Sequence, residues 1–547
     1  MTTAPAHALT NADIANRLTT LARLLAAQKE NPFKIKAYLK AARTVREMGE
    51  SVEALVGEDA DLTAYPGIGD AIAGAIAEIV RTGTLGKLEK LRADASPELL
   101  ELSAYPRLDP QQVLRAYKKL KVSTVAELRD KLESGAVESA LGSRLAQHIR
   151  QGLNESHAML LYRADTLCES VEKFLLTRCG ARRVEAAGAY RRRVEVVDEL
   201  VFLVDAPEFP SVVSRFEHYG GHAALVDQNP QSACFAHSSG IGIRLEAATH
   251  ADWGTRLVEC TGSAAHLELL GKFRHILAPE EDELYRRLNL AVIPPEIREG
   301  RDEVSLARAG RLPKLVSVAE IRGDLHAHSI ASDGSNTIEQ MAAAARARGY
   351  EYIGITDHSQ SLKIARGVSI EDLLKQLRFI DHLNAKLKGI RVLKSSEVDI
   401  LADGSLDYPD EILRELDYTV CSIHSRFGLG RNEQTERIMR AMDNPYFTVL
   451  GHATGRLLLK RPGYEIDIDR LIEHARQSGR AFEINCSPDR LDLSAENARL
   501  AKEAGVRIVI STDAHSTREL ALIRYGVEQA RRAGLEAREI GNCLPWK

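Results

Sequence analysis

Histidine and carboxylate side chains recur in the last two-fifths of the sequence at the ends of short β-branched runs. His326 and His328 end IRGDLHAH, and Asp333 follows five residues on. His358 closes YIGITDHS, Glu397 lies in RVLKSSEVDI, His424 in DYTVCSIHS and His452 in FTVLGHAT, while RIVISTDAHS brings Asp513 and His515. Of these runs, the sixth alone, RAFEINCS, contributes no such strand-end residue. Imidazole and carboxylate at this density suit zinc, manganese or iron better than magnesium or calcium alone. Nine ligands can hold two to three divalent ions, with Glu397 a candidate bridge. In the HxH pair one residue intervenes, so on a regular strand both rings face one side and can grip one ion. A lone histidine is ordinarily structural. Six of the eight histidines after residue 320 nevertheless sit at strand ends, with His382 and His474 inside helical stretches, and chance explains that distribution poorly.

To bring such residues together, the runs must be parallel strands whose carboxyl ends open on one face, which is where parallel βα folds place their chemistry. Seven runs separated by helical stretches meet that requirement. The chain ahead of them has two other textures. Up to about residue 160 the apolar spacing is helical, with Asn11 expected to cap IANRLTTLARLLAAQ; from about Arg163, strands such as ELVFLVDA and IGIRLEAAT mix with helices. A length of 547 residues exceeds one core. The 73 basic and 77 acidic residues leave a net charge of −4, so contact with nucleic acid must come from local patches. Seven scattered cysteines form no CxxC pair and read as reduced thiols. No signal peptide or membrane-length apolar run is apparent, so a cytoplasmic protein with no membrane partner is expected.

DLHAHSIASDG, GITDHS, SSEVDI, SIHS, GHATGR, EINCSPDRLDL and STDAH resemble the successive motifs of the PHP (polymerase and histidinol phosphatase) domain, over about 316–547. The resemblance implies a distorted (βα)7 barrel, a trinuclear site formed by the nine residues above, and hydrolysis of phosphate esters. Arg426, Arg456 and Arg490, just past the ligand strands or their neighbours, are candidates to clamp the phosphate.

YPGIGDAIAGAI has the form of a helix-hairpin-helix: Gly67 and Gly69 permit a sharp turn that offers backbone amides to a DNA phosphate. The preceding NPFKIKAYLKAARTV is basic, with Lys34 and Lys36 foremost; Lys36 reads as solvated, not as a Schiff-base lysine. A second hairpin, AYPRLDPQQVLRAY, has Arg107 and Asp109 where glycines belong. RTGTLGKLEKLR and YRRRVE add local positive charge. With GAYRRRVEVVDELVFLV, TGSAAH and IPPEIREGRDE, the order of segments resembles the bacterial family X DNA polymerases. That resemblance implies a multidomain fold. All-α helix-hairpin-helix domains come first (1–90 lyase-type, 91–160 fingers-like), followed by an α+β nucleotidyltransferase-like palm (161–266), a small thumb and linker (267–315) and the PHP barrel (316–547).

The palm departs from the family. Glu199 and Val201 stand where its first two aspartates belong, Arg244 where the third belongs, and Ala189 where a serine would touch the triphosphate. Magnesium in phosphoryl-transfer sites relies on carboxylates plus substrate oxygens, so loss of polymerisation is expected. Asp198, Glu199 and Glu246 are the alternative set, although adjacent strand residues face opposite sides. The resulting expectation is a metal-dependent phosphodiesterase that processes gapped, nicked or 3′-ended DNA as a 3′-5′ exonuclease or end-cleaning enzyme, with abasic-site cleavage as a second activity. The alternatives are an active repair polymerase, a small-molecule phosphatase of the histidinol phosphate kind, and a non-catalytic DNA-end binding module.

Overall fold

The computed structural model describes residues 9–95, 110–142 and 158–546, with 97, 100, 145–146 and 149–150 between them. Arg107 and Asp109 lie outside the described residues.

The amino-terminal region is helical. Thr10, not Asn11, caps the helix Asn11–Ala27: its hydroxyl accepts from the Asp13 amide and the Asp13 carboxylate accepts from the Thr10 amide. Asn11 is buried and ties segments together, its amide donating to the Met48 and Glu50 carbonyls while its oxygen accepts from Val52 N. Asn31 caps Pro32–Glu47, with proline in the first turn where no amide is needed. Leu18, Leu21, Val45, Ile72, Ile76 and Ile79 pack this region's core.

The middle region is built on a five-stranded sheet in the order Arg183–Ala186, Glu199–Asp205, Gly242–Ala248, Ser232–Ala236 and Ala224–Asn229. Only the pair Glu199–Asp205 with Gly242–Ala248 is parallel, in a register that sets Val201 beside Arg244 and Leu203 beside Glu246. Met159 and Leu160 pair with Val197 and Val196. The chain thus joins this region slightly before the expected boundary at residue 161.

In the carboxyl-terminal region the expected runs all form parallel strands, and the third is broken into Arg391–Lys394 and Glu397–Asp399. Three strands form one sheet and five another. Parallel bridges Ala327–Ala514 and His358–Glu397 stitch the two sheets, so the runs follow one another in cyclic order. The strands are apolar on both faces, as parallel sheets covered by helices must be. Ile353, Val392, Cys421, Leu450 and Phe482 pack in one cluster, and Tyr352, Leu393, Val420, Val449 and Ala481 in another. Among the described residues no helix is long and apolar enough to cross a membrane.

Candidate metal centre

His326, His424, His452 and Asp513 stand two residues past the ends of their strands, His358 three, and Glu397 opens the strand Glu397–Asp399, so the side chains converge at the carboxyl edge of the sheets. All nine predicted residues come together there. Three overlapping groups have ligand atoms mutually close enough to share an ion: His328, Asp333, His358 and His515; His326, His328 and Asp513; and His358, Glu397 and His424. Glu397 is central. One oxygen lies 2.8 Å from His358 Nδ1 and 3.4 Å from His326 Nε2, the other 2.8 Å from His452 Nε2 and 3.3 Å from His424 Nε2. His452 touches Glu397 but stands outside the three groups. His326 and His328 share one group with Asp513, as the HxH spacing requires, although the regular strand ends at Asp324.

A further layer holds these ligands, and sequence reasoning did not single it out. Glu483 is fully buried; one oxygen is 2.7 Å from His326 Nδ1, and the other accepts the His452 amide at 2.7 Å. Asp399 sits 2.5 Å from His424 Nδ1 and also accepts from Ser361 Oγ. Asn485 donates to both Glu483 and Asp513. Asp357 gathers the Ser329 amide and hydroxyl, the Ser332 hydroxyl and the Gln376 amide, which fixes the loop between His328 and Asp333. The missed signal was spacing: Asp399 stands two residues from Glu397 and Asn485 two from Glu483, so each pair faces one side of its strand.

The electrostatics fit cations. Burial opposes charge on His326, yet the carboxylates of Glu483, Asp513 and Glu397 hold its pKa well above the usual range. Against the same burial, Glu397 and Asp333 raise His358 to about 10, Glu397 and Asp399 raise His424 to about 9, and Asp333 and Asp513 raise His515 to about 9. Burial lowers His328, helped by the adjacent His358 and His515. Glu397 and Asp513 stay ionised despite burial because imidazoles surround them. His326 Nε2 and His328 Nδ1 are buried without hydrogen-bond partners. Unsatisfied buried polar atoms are expensive, and a divalent ion at these nitrogens would satisfy both. The donor set is nitrogen and carboxylate oxygen, with no thiolate in any group.

The three candidate phosphate arginines differ. Arg426 is exposed two residues past His424, and Arg490 is half-buried. Arg456 is already engaged: it forms a bidentate pair with Glu195 of the middle region, both contacts 2.8 Å, and donates to the Leu491 carbonyl. It is therefore not a free phosphate clamp.

At the amino end, Gly67 adopts φ 85° and Gly69 starts the helix Asp70–Thr82 with no side-chain cap, leaving first-turn amides open. Both glycines and Lys34 line one cleft; Lys34 pairs with Glu30 at 3.2 Å and Lys36 is exposed.

In the middle region, Arg244 bonds Glu199 and Glu246 at 3.0 Å each, and Arg256 reaches Glu246 at 2.8 Å. Val201 is buried, Ala189 sits in the short helix Gly188–Arg191, and Asp198 is exposed on the opposite side from Val197. Two carboxylates of the alternative set, Glu199 and Glu246, are thus occupied by guanidinium groups, and among the described residues every grouping able to hold a metal lies in the carboxyl-terminal region. YRRRVE is not a free basic patch: Arg191 pairs with Glu281, Arg192 with Glu299, and Arg193 with Asp165 and Glu528.

Comparison with known proteins agrees with this geometry. Residues 9–85 match the helix-hairpin-helix domain family and residues 324–487 the PHP domain family. The DNA polymerase/3'-5' exonuclease PolX of Bacillus subtilis (strain 168) is 33% identical over 98% of this chain and 98% of its own length. A probable phosphatase of Acetivibrio thermocellus is 32% identical over 36% of this chain and 80% of its own. Another, from Thermoanaerobacter sp. (strain X514), is 32% identical over 39% and 86%.

Proposed function

Because the chain belongs to the bacterial family X DNA polymerases with a carboxyl-terminal PHP domain, we propose that it trims 3′ DNA ends as a metal-dependent phosphodiesterase while its polymerase site is inactive. The observation that carries this reading is a contrast within one chain. Three ligand groups overlap through His328 and His358, whereas the palm positions that should bind metal hold the Glu199–Arg244–Glu246 ion pairs.

Two to three ions of zinc, manganese or iron fit the imidazole-rich groups. When bound, such ions neutralise phosphate oxygens and make a water acidic enough to attack at neutral pH. The chain's residues do the rest. Glu483 and Asp399 fix the ring orientations of His326 and His424, as carboxylates behind metal-bound imidazoles do. Glu397, in contact with His358 and His452, keeps its charge and would help to hold the ions. Arg426, exposed two residues past His424, and Arg490 are the remaining candidates to meet the phosphate. The uncapped amides of Gly69, Asp70 and Ala71, with Lys34 and Lys36, hold the duplex. In the palm, Arg244 would repel the cations that templated synthesis requires.

A small-molecule phosphatase is the second reading, since two relatives that match 36% and 39% of this chain are named probable phosphatases. The helix-hairpin-helix region favours DNA, because a small substrate does not need it. A DNA substrate also places the protein in the cytoplasm.

One gel separates these readings: a 5′-labelled primer on a gapped template with Mn²⁺ and all four deoxynucleoside triphosphates, beside a His326→Ala/His328→Ala control. Shortening that disappears in the control, without extension, is expected. Extension by both proteins would sink the inactive-palm reading. No shortening, with turnover of a phosphomonoester, would favour the phosphatase.

A further inference from the structure

The palm segment 188–195, GAYRRRVE, is where the family resemblance expects contact with the nucleotide's triphosphate. Its side chains instead hold other parts of the chain. Tyr190 donates to Asp165, Arg193 pairs with Asp165 and Glu528, and Gln529 donates to the Arg193 carbonyl. Asp165 also accepts from Arg524 and Tyr525. Leu160, Leu161, Leu458, Leu491 and Tyr525 close an apolar seam between palm and PHP region. Glu195 ends the segment with its bidentate grip on Arg456.

Arg456 leads directly to the metal centre. It lies four residues past His452, whose backbone stands at φ 25°, a conformation that non-glycine residues hold only where their surroundings over-determine it. The loop after His452 turns back at once, with Gly455 N donating to the His452 carbonyl at 2.8 Å. Arg456 then ties that loop to a second one through the Leu491 carbonyl. The neighbouring Asp492 accepts from the Thr454 amide and hydroxyl, and its own carbonyl accepts from Asn485 N at 2.6 Å. Asn485 holds Glu483 and Asp513. One guanidinium thus links both loops that flank the site, and its charge is met by a carboxylate from the palm. The fork geometry matters here, because a two-point contact fixes orientation as well as distance.

We propose that Glu195 is a positioning residue for the PHP centre, acting through Arg456 to hold the loops that set His452 and Asp513. The inference goes beyond the DNA-end reading in that it concerns any phosphodiester hydrolysed at this centre. The palm is then a working part of the hydrolase: its former nucleotide loop is the bracket that keeps the site in shape.

The test uses the full-length chain with Mn²⁺ and two substrates, a labelled DNA end and bis-(p-nitrophenyl) phosphate. The small diester reports on the centre even if DNA is not the substrate, so failure of the DNA reading shows as loss of DNA cleavage alone in the wild type. Glu195→Ala is expected to lower kcat on both substrates by about ten- to a hundredfold, the effect of ~1 Å misplacement, with KM changed far less. Arg456→Ala should match it, and the double variant Glu195→Ala/Arg456→Ala should lose no more than Arg456→Ala alone, because Glu195 acts through that arginine. Glu528→Gln, which removes a palm contact remote from these loops, controls for loosened docking and should keep near wild-type kcat. Wild-type rates in Glu195→Ala would overturn the proposal. So would losses that multiply in the double variant, since Glu195 and Arg456 would then act independently. Equal loss in Glu528→Gln would also overturn it, reducing the effect to general docking.

Discussion

Replacing Glu483 with glutamine tests the metal centre without touching a proposed ligand. The carboxylate is fully buried, 2.7 Å from His326 Nδ1, and also accepts the His452 and Asn485 donors. Glutamine preserves shape and one acceptor but removes the charge that favours the ligand's orientation and basicity. Carboxylates behind metal-bound histidines contribute about ten- to a hundredfold in metal affinity, or about 1.4 to 2.7 kcal/mol at ~1.4 kcal/mol per decade. The effect should fall toward the upper end, because the carboxylate is fully buried and serves the elements bearing both His326 and His452. The assay is a Mn²⁺ titration by isothermal calorimetry on chelator-treated protein, paired with hydrolysis rates at rising metal concentration. The expected result is a weaker Kd, with hydrolysis recovering as Mn²⁺ is raised. An unchanged Kd would refute the idea that Glu483 tunes a metal ligand. A normal Kd with lost activity would move Glu483 into direct contact with substrate.

Gly67→Ala should weaken DNA binding about tenfold or more and flatten its salt dependence, measured by fluorescence anisotropy between low and moderate salt; Gly67 sits at φ 85°, and a Cβ there would lie 2.8 Å from Lys40 Cγ. Arg244→Asp should leave primer extension absent and lower stability by about 1 kcal/mol, read from thermal melts, because the pairs it breaks are half-exposed and the new carboxylate faces Glu199 and Glu246. His237 gives a pH dependence. Burial holds its pKa down at about 4, and its Nε2–H donates to the Arg46 carbonyl while Nδ1 accepts from Ser239 N. The unfolded chain takes up this proton first as pH falls below about 6.5, so stability is lost between there and pH 4, up to about 3 kcal/mol. The melting temperature of the wild type should therefore fall more steeply over that range than that of His237→Gln.

What could be read from the sequence follows from what repeats locally. The nine ligands were visible because parallel strands put their carboxyl ends on one face, so strand-end histidines predict convergence without knowledge of packing. The break of the third run into two strands was not visible: Ser395 and Ser396 lie within one β-branched run, and the break comes from hydrogen bonds those serines make with the Tyr418 and Asp357 carbonyls. Glu483 was overlooked because its run carries no strand-end ligand, and its role depends on contacts to His326 and His452 from distant strands. Asn11 resembled a cap by type, but Thr10 also had an acidic partner at the capping-box position. The errors at Arg456 and YRRRVE share one cause. A basic residue in sequence carries no sign of whether a carboxylate hundreds of positions away will neutralise it, as Glu528 does for Arg193.

That neutralisation bears on why a polymerase-like body would be kept. Arg191, Arg192, Arg193, Arg244 and Arg256 each face a glutamate, so the palm's basic residues are spent on internal pairs. Exposed positive charge remains at the other end, where Lys36, Lys40 and Arg43 stand on the helix Pro32–Glu47 beside the hairpin cleft. On the proposed reading, electrostatic grip and metal chemistry sit at opposite ends of the chain, and the palm would fix the distance between them for a held duplex to meet the site in register. The seam is built for that. Cutting the chain before residue 316 would expose Leu458, Leu491 and Tyr525 and leave Arg456, Arg524 and Glu528 without palm partners. Exposing such apolar area costs stability in proportion to its extent, and a charge left half-buried without its partner adds to that cost. The PHP region is thus shaped for attachment to its palm.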